Sequence, residues 1–179
     1  MNISWIDSDS DLQSLLQEMA GCDRYALDTE FHRERTYFPQ LALIQIKHHN
    51  KIFLIDPVAV NLSLFAELFA SDSLCVLHAA QQDLEVLNHA CGSAPRRIFD
   101  TQIAAGFIGM STPSLSSLIL SELKVSISKG DRLTDWLRRP LTADQKTYAA
   151  TDVEHLFDIQ DNLEKRLNEL ERLSWVHEA

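Results

Sequence analysis

Apolar residues recur along this chain at two spacings, and the switch between them orders its elements. Leu12, Leu15, Leu16 and Met19 keep helical spacing behind a Ser8 or Ser10 cap, with Gly21 as the stop. An apolar strand from Tyr25 to Glu30 follows. The next two apolar runs, Leu41 to Ile46 and Ile52 to Ile55, are joined by so short a polar stretch that they predict an antiparallel hairpin. Leu64, Phe65, Leu68 and Phe69 predict a short helix, Leu74 to His78 a buried strand, and Gln81 to Cys91 a helix with Gly92 behind it. Ile98-Phe99-Asp100 predicts a last short strand before a helix ending near Gly109, and Thr112-Pro113 has the cap-then-proline pattern of another. Strand and helix alternate, so the fold class is α/β.

Lys124 to Pro140 shows no clean period and reads as a long connection that carries Lys129, Arg132, Arg138 and Arg139. Thr142 and Gln145 then form a Thr-x-x-Gln capping box. It opens a final helix expected to run much of the way to Leu173, with Leu156, Ile159, Leu163, Leu167 and Leu170 as its apolar stripe. Extended backwards, that stripe lands on Asp152 and Tyr148, which places a carboxylate and a phenol where the helix should meet the sheet.

Asp28 and Glu30 alternate with Leu27, Thr29 and Phe31, so both acids project from one face of their strand. Two anions side by side in an apolar strand raise each other's pKa and call for a cation. Asp83, at the start of the helix after the strand ending at His78, and Asp152 are candidates to join them. Four carboxylates with few nitrogens suit one or two hard divalent ions such as Mg²⁺. Such a pair activates water and stabilises in-line displacement at phosphorus, which makes phosphodiester hydrolysis the natural chemistry. Tyr148, neutral near pH 7, is suited to orienting water or a phosphate oxygen. A zinc site is disfavoured: His48 and His49 are neighbours in an expected solvent-facing turn, and no pair of histidines has helical ligand spacing.

A chain of 179 residues, 45% hydrophobic, can bury one sizeable core and is expected to form a single domain over 1–179. Its formal net charge of -10 argues against a protein that holds nucleic acid by global attraction, while leaving room for local basic patches. No apolar run approaches the length of a membrane span, and the start Met1-Asn2-Ile3-Ser4 does not read as a signal peptide. The expectation is a soluble, cytoplasmic protein with no membrane partner. Cys22, Cys75 and Cys91 are odd in number and lack Cys-x-x-Cys spacing, so they read as buried, reduced thiols.

Three stretches together carry a family resemblance. Ala-Leu-Asp28-Thr-Glu30-Phe, followed by Arg33-x-Arg35-Thr-Tyr37-x-Pro39-Gln40-Leu-x-Leu-Ile-Gln45, resembles the first exonuclease motif of the ribonuclease D family. Leu77-His78-Ala79-x-x-x-Asp83 resembles the second, and Tyr148-Ala-Ala-x-Asp152 the third. Phe99-Asp100-Thr101-Gln102 and the stretch from Lys129 through Thr134-Asp135-Trp136 to Arg139-Pro140-Leu141-Thr142 also match, in order, so the similarity spans nearly the whole chain. It implies an RNase H-like, DnaQ-type fold, a mixed five-stranded sheet flanked by helices. It implies 3′-to-5′ exonuclease activity of the Asp-Glu-Asp-Asp-Tyr subtype with two divalent cations, Mg²⁺ or Mn²⁺, releasing nucleoside monophosphates. By position, Asp28, Glu30, Asp83 and Asp152 would hold the metals and Tyr148 would place the attacking water. Gln45, His78, Lys129, Arg33 and Arg35 are the candidate substrate contacts.

Bacterial members of that family usually carry helical RNA-binding domains after the nuclease domain, and this chain ends at Ala179. The expectation is therefore a nuclease domain without such a module, leaning on local cations to meet phosphate, with homodimer formation as one option. The substrate implied is the single-stranded 3′ end of an RNA, such as a tRNA precursor or another structured RNA. The alternatives are a DNA or short-oligonucleotide exonuclease on the same fold and a non-catalytic nucleic-acid-binding domain. The five intact positions speak against the last.

Overall fold

A computed structural model describes residues 1–32, 38–127 and 134–178. The strands are β1 (Asn2–Ile6), β2 (Arg24–His32), β3 (Gln40–His48), β4 (Lys51–Ile55), β5 (Leu74–Leu77) and β6 (Ile98–Asp100). The helices are α1 (Asp9–Met19), α2 (Ala66–Ala70) behind a 3₁₀ turn at Leu62–Phe65, α3 (Gln81–Cys91), α4 (Thr101–Phe107), α5 (Leu115–Leu123), α6 (Ala143–Glu154), α7 (Leu156–Glu169) and α8 (Leu173–Glu178). Among the described residues, the strands form one sheet in the order β1-β4-β3-β2-β5-β6. β2, β3 and β4 pair antiparallel in sequence, while β1 joins β4, β5 joins β2 and β6 joins β5 in parallel.

Period-two alternation sorts each strand's side chains into two cores. Tyr25, Leu27, Ile44, Ile46, Phe53, Ile55, Cys75 and Leu77 pack with α1, α2 and α3. Ala26, Leu43, Ile52, Leu54, Val76 and Phe99 pack with α4 to α8. One irregularity re-aims the pattern: Glu30 pairs with Leu43 but Phe31 with Leu41, so Ala42 is an inserted residue and Ala42 and Leu43 both enter the second core. No described helix is long and apolar enough to cross a membrane.

Among the described residues the sheet has six strands, not the expected five. The extra one, β1, is a five-residue edge strand paired only with β4, and its Asn2 and Ser4 interrupt the apolar signal. The expected long final helix is interrupted at His155, where α6 ends and α7 begins. There Lys47 Nζ of β3 donates to the Glu154 carbonyl at 2.5 Å, satisfying a group that the helix end leaves open. The stripe nevertheless continues through Leu156, Ile159, Leu163 and Leu167, all buried, which is why one helix was expected. Leu170 caps α7 and is 47% exposed, so it is no core residue.

Two local expectations also change. Ser114, rather than Thr112, caps α5 by accepting from the Ser117 N–H. His48 ends β3 and is buried, leaving His49 and Asn50 as the connection to β4, with His49 in the left-handed region at φ 51. The capping box of Thr142 and Gln145 and the Ser8 cap of α1 are present. Cys22, Cys75 and Cys91 are free thiols; Cys75 and Cys91 are buried and Cys22 partly so.

Candidate active site

The site grows out of β2. Ala26, on the α6–α7 side of the sheet, sets the parity, so Asp28 and Glu30 face that same side while Thr29 faces α3. α6 packs across β2 and β3 on the acids' side. From it Asp152 reaches Asp28 and Glu30: one carboxylate oxygen of each of the three lies within 4.8 Å of the others. All three are partly exposed. Tyr148 precedes Asp152 by four residues, about 6 Å or one turn along the helix, and so shares its face. Its ring lies 5.9 Å, centroid to centroid, from the buried Trp136.

Asp83 stands apart from that trio. It occupies the first turn of α3, is 6% exposed, and accepts a hydrogen bond at Oδ1 from the Thr29 hydroxyl. It is still close enough to add its charge to that of Asp152 and Glu30 at Asp28. Burial first, and then those three anions, push the Asp28 carboxyl well above the usual carboxylate range, against a backbone hydrogen bond from Thr29. Asp83 is pushed up to about 6, chiefly by burial. Carboxylates crowded in this way favour a shared cation. Among the described residues the cluster contains only oxygen donors, the set preferred by hard divalent ions.

Gln45 lies opposite Asp28 in register, fully buried, and donates Nε2 to Asp28 Oδ2 at 3.3 Å. Its Oε1 has no hydrogen-bond partner among the described residues. Expected as a substrate contact, it stands instead behind Asp28 and out of reach of solvent. His78 is similarly occupied. Burial lowers its pKa. Its Nε2 lies 3.1 Å from the Pro113 carbonyl and its Nδ1 2.8 Å from the Thr101 hydroxyl, which itself donates to the Leu77 carbonyl at 3.1 Å. These bonds tie the end of β5 to the entry of α5. Arg33, Arg35, Lys129 and Arg132 lie outside the described residues.

Arg139, expected among the cations that meet phosphate, is committed elsewhere. Its Nε and an Nη donate to the two oxygens of the buried Asp56 at 2.7 and 2.8 Å, and it also donates to the carbonyls of Ala42 and Trp136. The segment from Thr134 to Leu141 is thereby fastened to β3 and to the residue after β4, and it holds Trp136 against Tyr148. Sequence reasoning gave no role to Thr29, Asp56 or Trp136. Thr29 had a visible signal, a hydroxyl on the face where its neighbours Leu27 and Phe31 are apolar.

A mixed sheet with helices on both faces, with Asp28 and Glu30 on a central strand and the other two acids on flanking helices, is the architecture of the RNase H-like, DnaQ-type nucleases. Residues 3–168 match the family model for 3′-5′ exonuclease, and the chain belongs to that family. It is 45% identical over 177 residues to ribonuclease D of Xanthomonas oryzae pv. oryzae, which covers 97% of this chain and 48% of that protein. The chain thus spans about half the length of the curated relatives it matches. Among solved structures it resembles Escherichia coli RNase D, described as an exoribonuclease involved in structured RNA processing, at a TM-score of 0.95 and 36% identity over 99% of this chain and 48% of that one. It also resembles Brucella melitensis NrnC bound to pGG, at 0.82 and 26% identity over 99% of this chain and 87% of that one. NrnC has also been solved with bound Mg²⁺.

The carboxylate cluster makes a prediction independent of catalysis. A ligand bound only by the folded state stabilises by about 2.7 kcal/mol at a hundredfold excess over its dissociation constant. Saturating Mg²⁺ or Mn²⁺ is expected to raise the melting temperature by about 5–10 °C in a domain of this size. An unchanged melting curve at millimolar metal would count against a cation site.

Proposed function

We propose that this chain is the catalytic domain of a metal-dependent 3′-5′ exoribonuclease that removes nucleotides from single-stranded RNA 3′ ends and releases nucleoside 5′-monophosphates. The observation that carries the reading is the convergence of Asp28, Glu30 and Asp152 within 4.8 Å, with the charge of Asp83 acting on Asp28, in a chain of the 3′-5′ exonuclease family. Asp28, Glu30, Asp83 and Asp152 hold two divalent cations, Mg²⁺ or Mn²⁺, and Tyr148 positions the attacking water. When bound, the cations supply an activated water and neutralise charge developing at the scissile phosphate. The protein's own part is to orient Asp28 through Gln45 and to keep the Tyr148 phenol beside Asp152 by packing it near Trp136.

The RNA preference draws support from the ribonuclease D relatives and from the description of the Escherichia coli protein. A second reading, a short-oligonucleotide exonuclease, is favoured by the likeness to NrnC bound to pGG. The deciding test is digestion of 5′-labelled single-stranded RNA, matching DNA and a dinucleotide, each with Mg²⁺, Mn²⁺ or chelator. A ladder that shortens from the 3′ end of RNA only with metal is expected. Faster cleavage of the dinucleotide would transfer the assignment to short oligonucleotides, and metal-independent cleavage would end it. Tyr148→Phe is expected to slow turnover about a hundredfold, the scale on which a single positioned polar group acts, while the metal-induced thermal shift stays intact. Equal loss of both would make Tyr148 a structural residue.

A further inference from the structure

We infer that Thr29 is a positioning residue: its hydroxyl fixes the carboxylate of Asp83, so that β2 sets three of the four acids, Asp28 and Glu30 directly and Asp83 across the sheet. The inference rests on the proposed metal site and names a device that builds it.

Alternation along β2 points Thr29 away from Asp28 and Glu30 into the core formed with α1, α2 and α3, where Tyr25, Leu27, Leu87 and Val86 are apolar. Valine has the same shape and would suit that environment. A hydroxyl there, 5% exposed, needs a partner, and its partner is Asp83 Oδ1. The backbone beneath Asp83 is already held. Asp100 accepts from the N–H groups of Ala79 and Ala80 at 3.1 and 2.8 Å and fixes the entry to α3, with Ala79 in the left-handed region at φ 56. The Asp83 carboxylate also takes backbone hydrogen bonds from Asp83 itself and from Thr29, so the hydroxyl works beside two main-chain donors. Of the three it is the one a substitution can remove, and from a short, stiff, β-branched side chain it adds a charge-assisted bond that restricts rotation of the carboxylate. Because Thr29 sits between Asp28 and Glu30, any shift of the strand that carries the pair moves the anchor of Asp83 with it.

The test compares Thr29→Val, which keeps the shape and loses the hydroxyl, with Thr29→Ser, which keeps the hydroxyl. Mg²⁺ affinity is read by calorimetry and thermal shift on the whole chain, and kcat and KM on single-stranded RNA. For Thr29→Val we expect metal affinity to fall about 10- to 100-fold, as for loss of a group that orients a metal ligand, with kcat reduced and the RNA KM unchanged. Thr29→Ser should restore metal affinity to within about threefold of the parent, the hydroxyl being the operative group. In an Asp83→Asn background, Thr29→Val should have little further effect, since the two act as one unit. Thr29→Val with parental metal affinity overturns the inference, as does Thr29→Ser impaired as deeply as Thr29→Val. If the parent digests no RNA while Thr29→Val still weakens Mg²⁺ binding, the positioning role stands and the exonuclease assignment fails.

Discussion

Asp28→Asn is expected to lower turnover by about 10³-fold or more while making the metal-free protein more stable. The first effect follows from the several kcal/mol that a correctly held cation contributes at a phosphoryl centre, at 1.36 kcal/mol per decade of rate. The second has the opposite sign because burial and the like charges of Asp83, Asp152 and Glu30 all disfavour the ionised form of Asp28. An amide of the same shape relieves that crowding. One or two kcal/mol corresponds to a rise of about 2–8 °C in the melting temperature of a domain of this size. The same physics fixes a pH dependence. Carboxyls whose folded pKa is raised contribute stability that is complete below their unfolded values and is lost as pH rises through the folded ones, about 6 for Asp83. The metal-free protein should therefore melt at higher temperature at pH 5 than at pH 7, and Asp28→Asn should flatten that trend. Saturating Mg²⁺ should reverse it, because deprotonated carboxylates are what the ion binds. Calorimetry from pH 5 to 7, with and without metal, checks all three. A variant that keeps its turnover, or that melts lower than its parent without metal, would show that Asp28 is not the centre of a repelling cluster.

What could be seen in the sequence and what could not divides along one physical line. Local periodicity and cap chemistry need only neighbours in the chain, and so the β2 alternation, the β3–β4 hairpin, the α3 boundaries and the Thr142–Gln145 box were all visible. The strand alternation that displayed Asp28 and Glu30 also set the Thr29 hydroxyl on the apolar face, a visible oddity whose role depends on a partner far along the chain. Its partner, Asp83, comes from a helix 54 residues away. Likewise Asp56 and Arg139, 83 residues apart, leave no local signal of each other, so Arg139 read as a loop cation. The break at His155 could not be foreseen from a stripe that runs unbroken through it; its partner, Lys47, lies 107 residues earlier. β1 escaped because Asn2 and Ser4 break up the apolar signal of a strand only five residues long.

The second large effect is structural. Arg139→Ala is expected to cost about 3–5 kcal/mol, the scale for removing one partner of a buried ion pair and leaving the other charge without compensation. In a chain of this length that lowers the melting temperature by about 6–20 °C. Surface ion pairs contribute far less, and here burial decides between the two cases: Asp56 is 6% exposed and takes both bonds of the guanidinium fork, while the Arg139 side chain is 26% exposed, which puts the expected cost at the lower end of that range. Burial by itself would push the Asp56 carboxyl up, but hydrogen bonds from Arg139 and from the Val58 N–H, with the charge of Arg139, bring it below the usual range. Its contribution is thus present above the ordinary carboxylate pKa and fades as pH falls through the depressed one. Arg139 also ties the carbonyls of Trp136 and Ala42 together, so its loss should loosen Trp136 beside Tyr148 and depress turnover even at temperatures where the variant is folded. Asp56→Ala should behave alike, and the double variant should lose less than the sum of the two, since the second substitution removes a charge already stranded. A fall of under 2 °C for Arg139→Ala would place the pair with ordinary surface contacts; a folded Arg139→Ala with undiminished turnover would sever the link between the Thr134–Leu141 segment and the tyrosine.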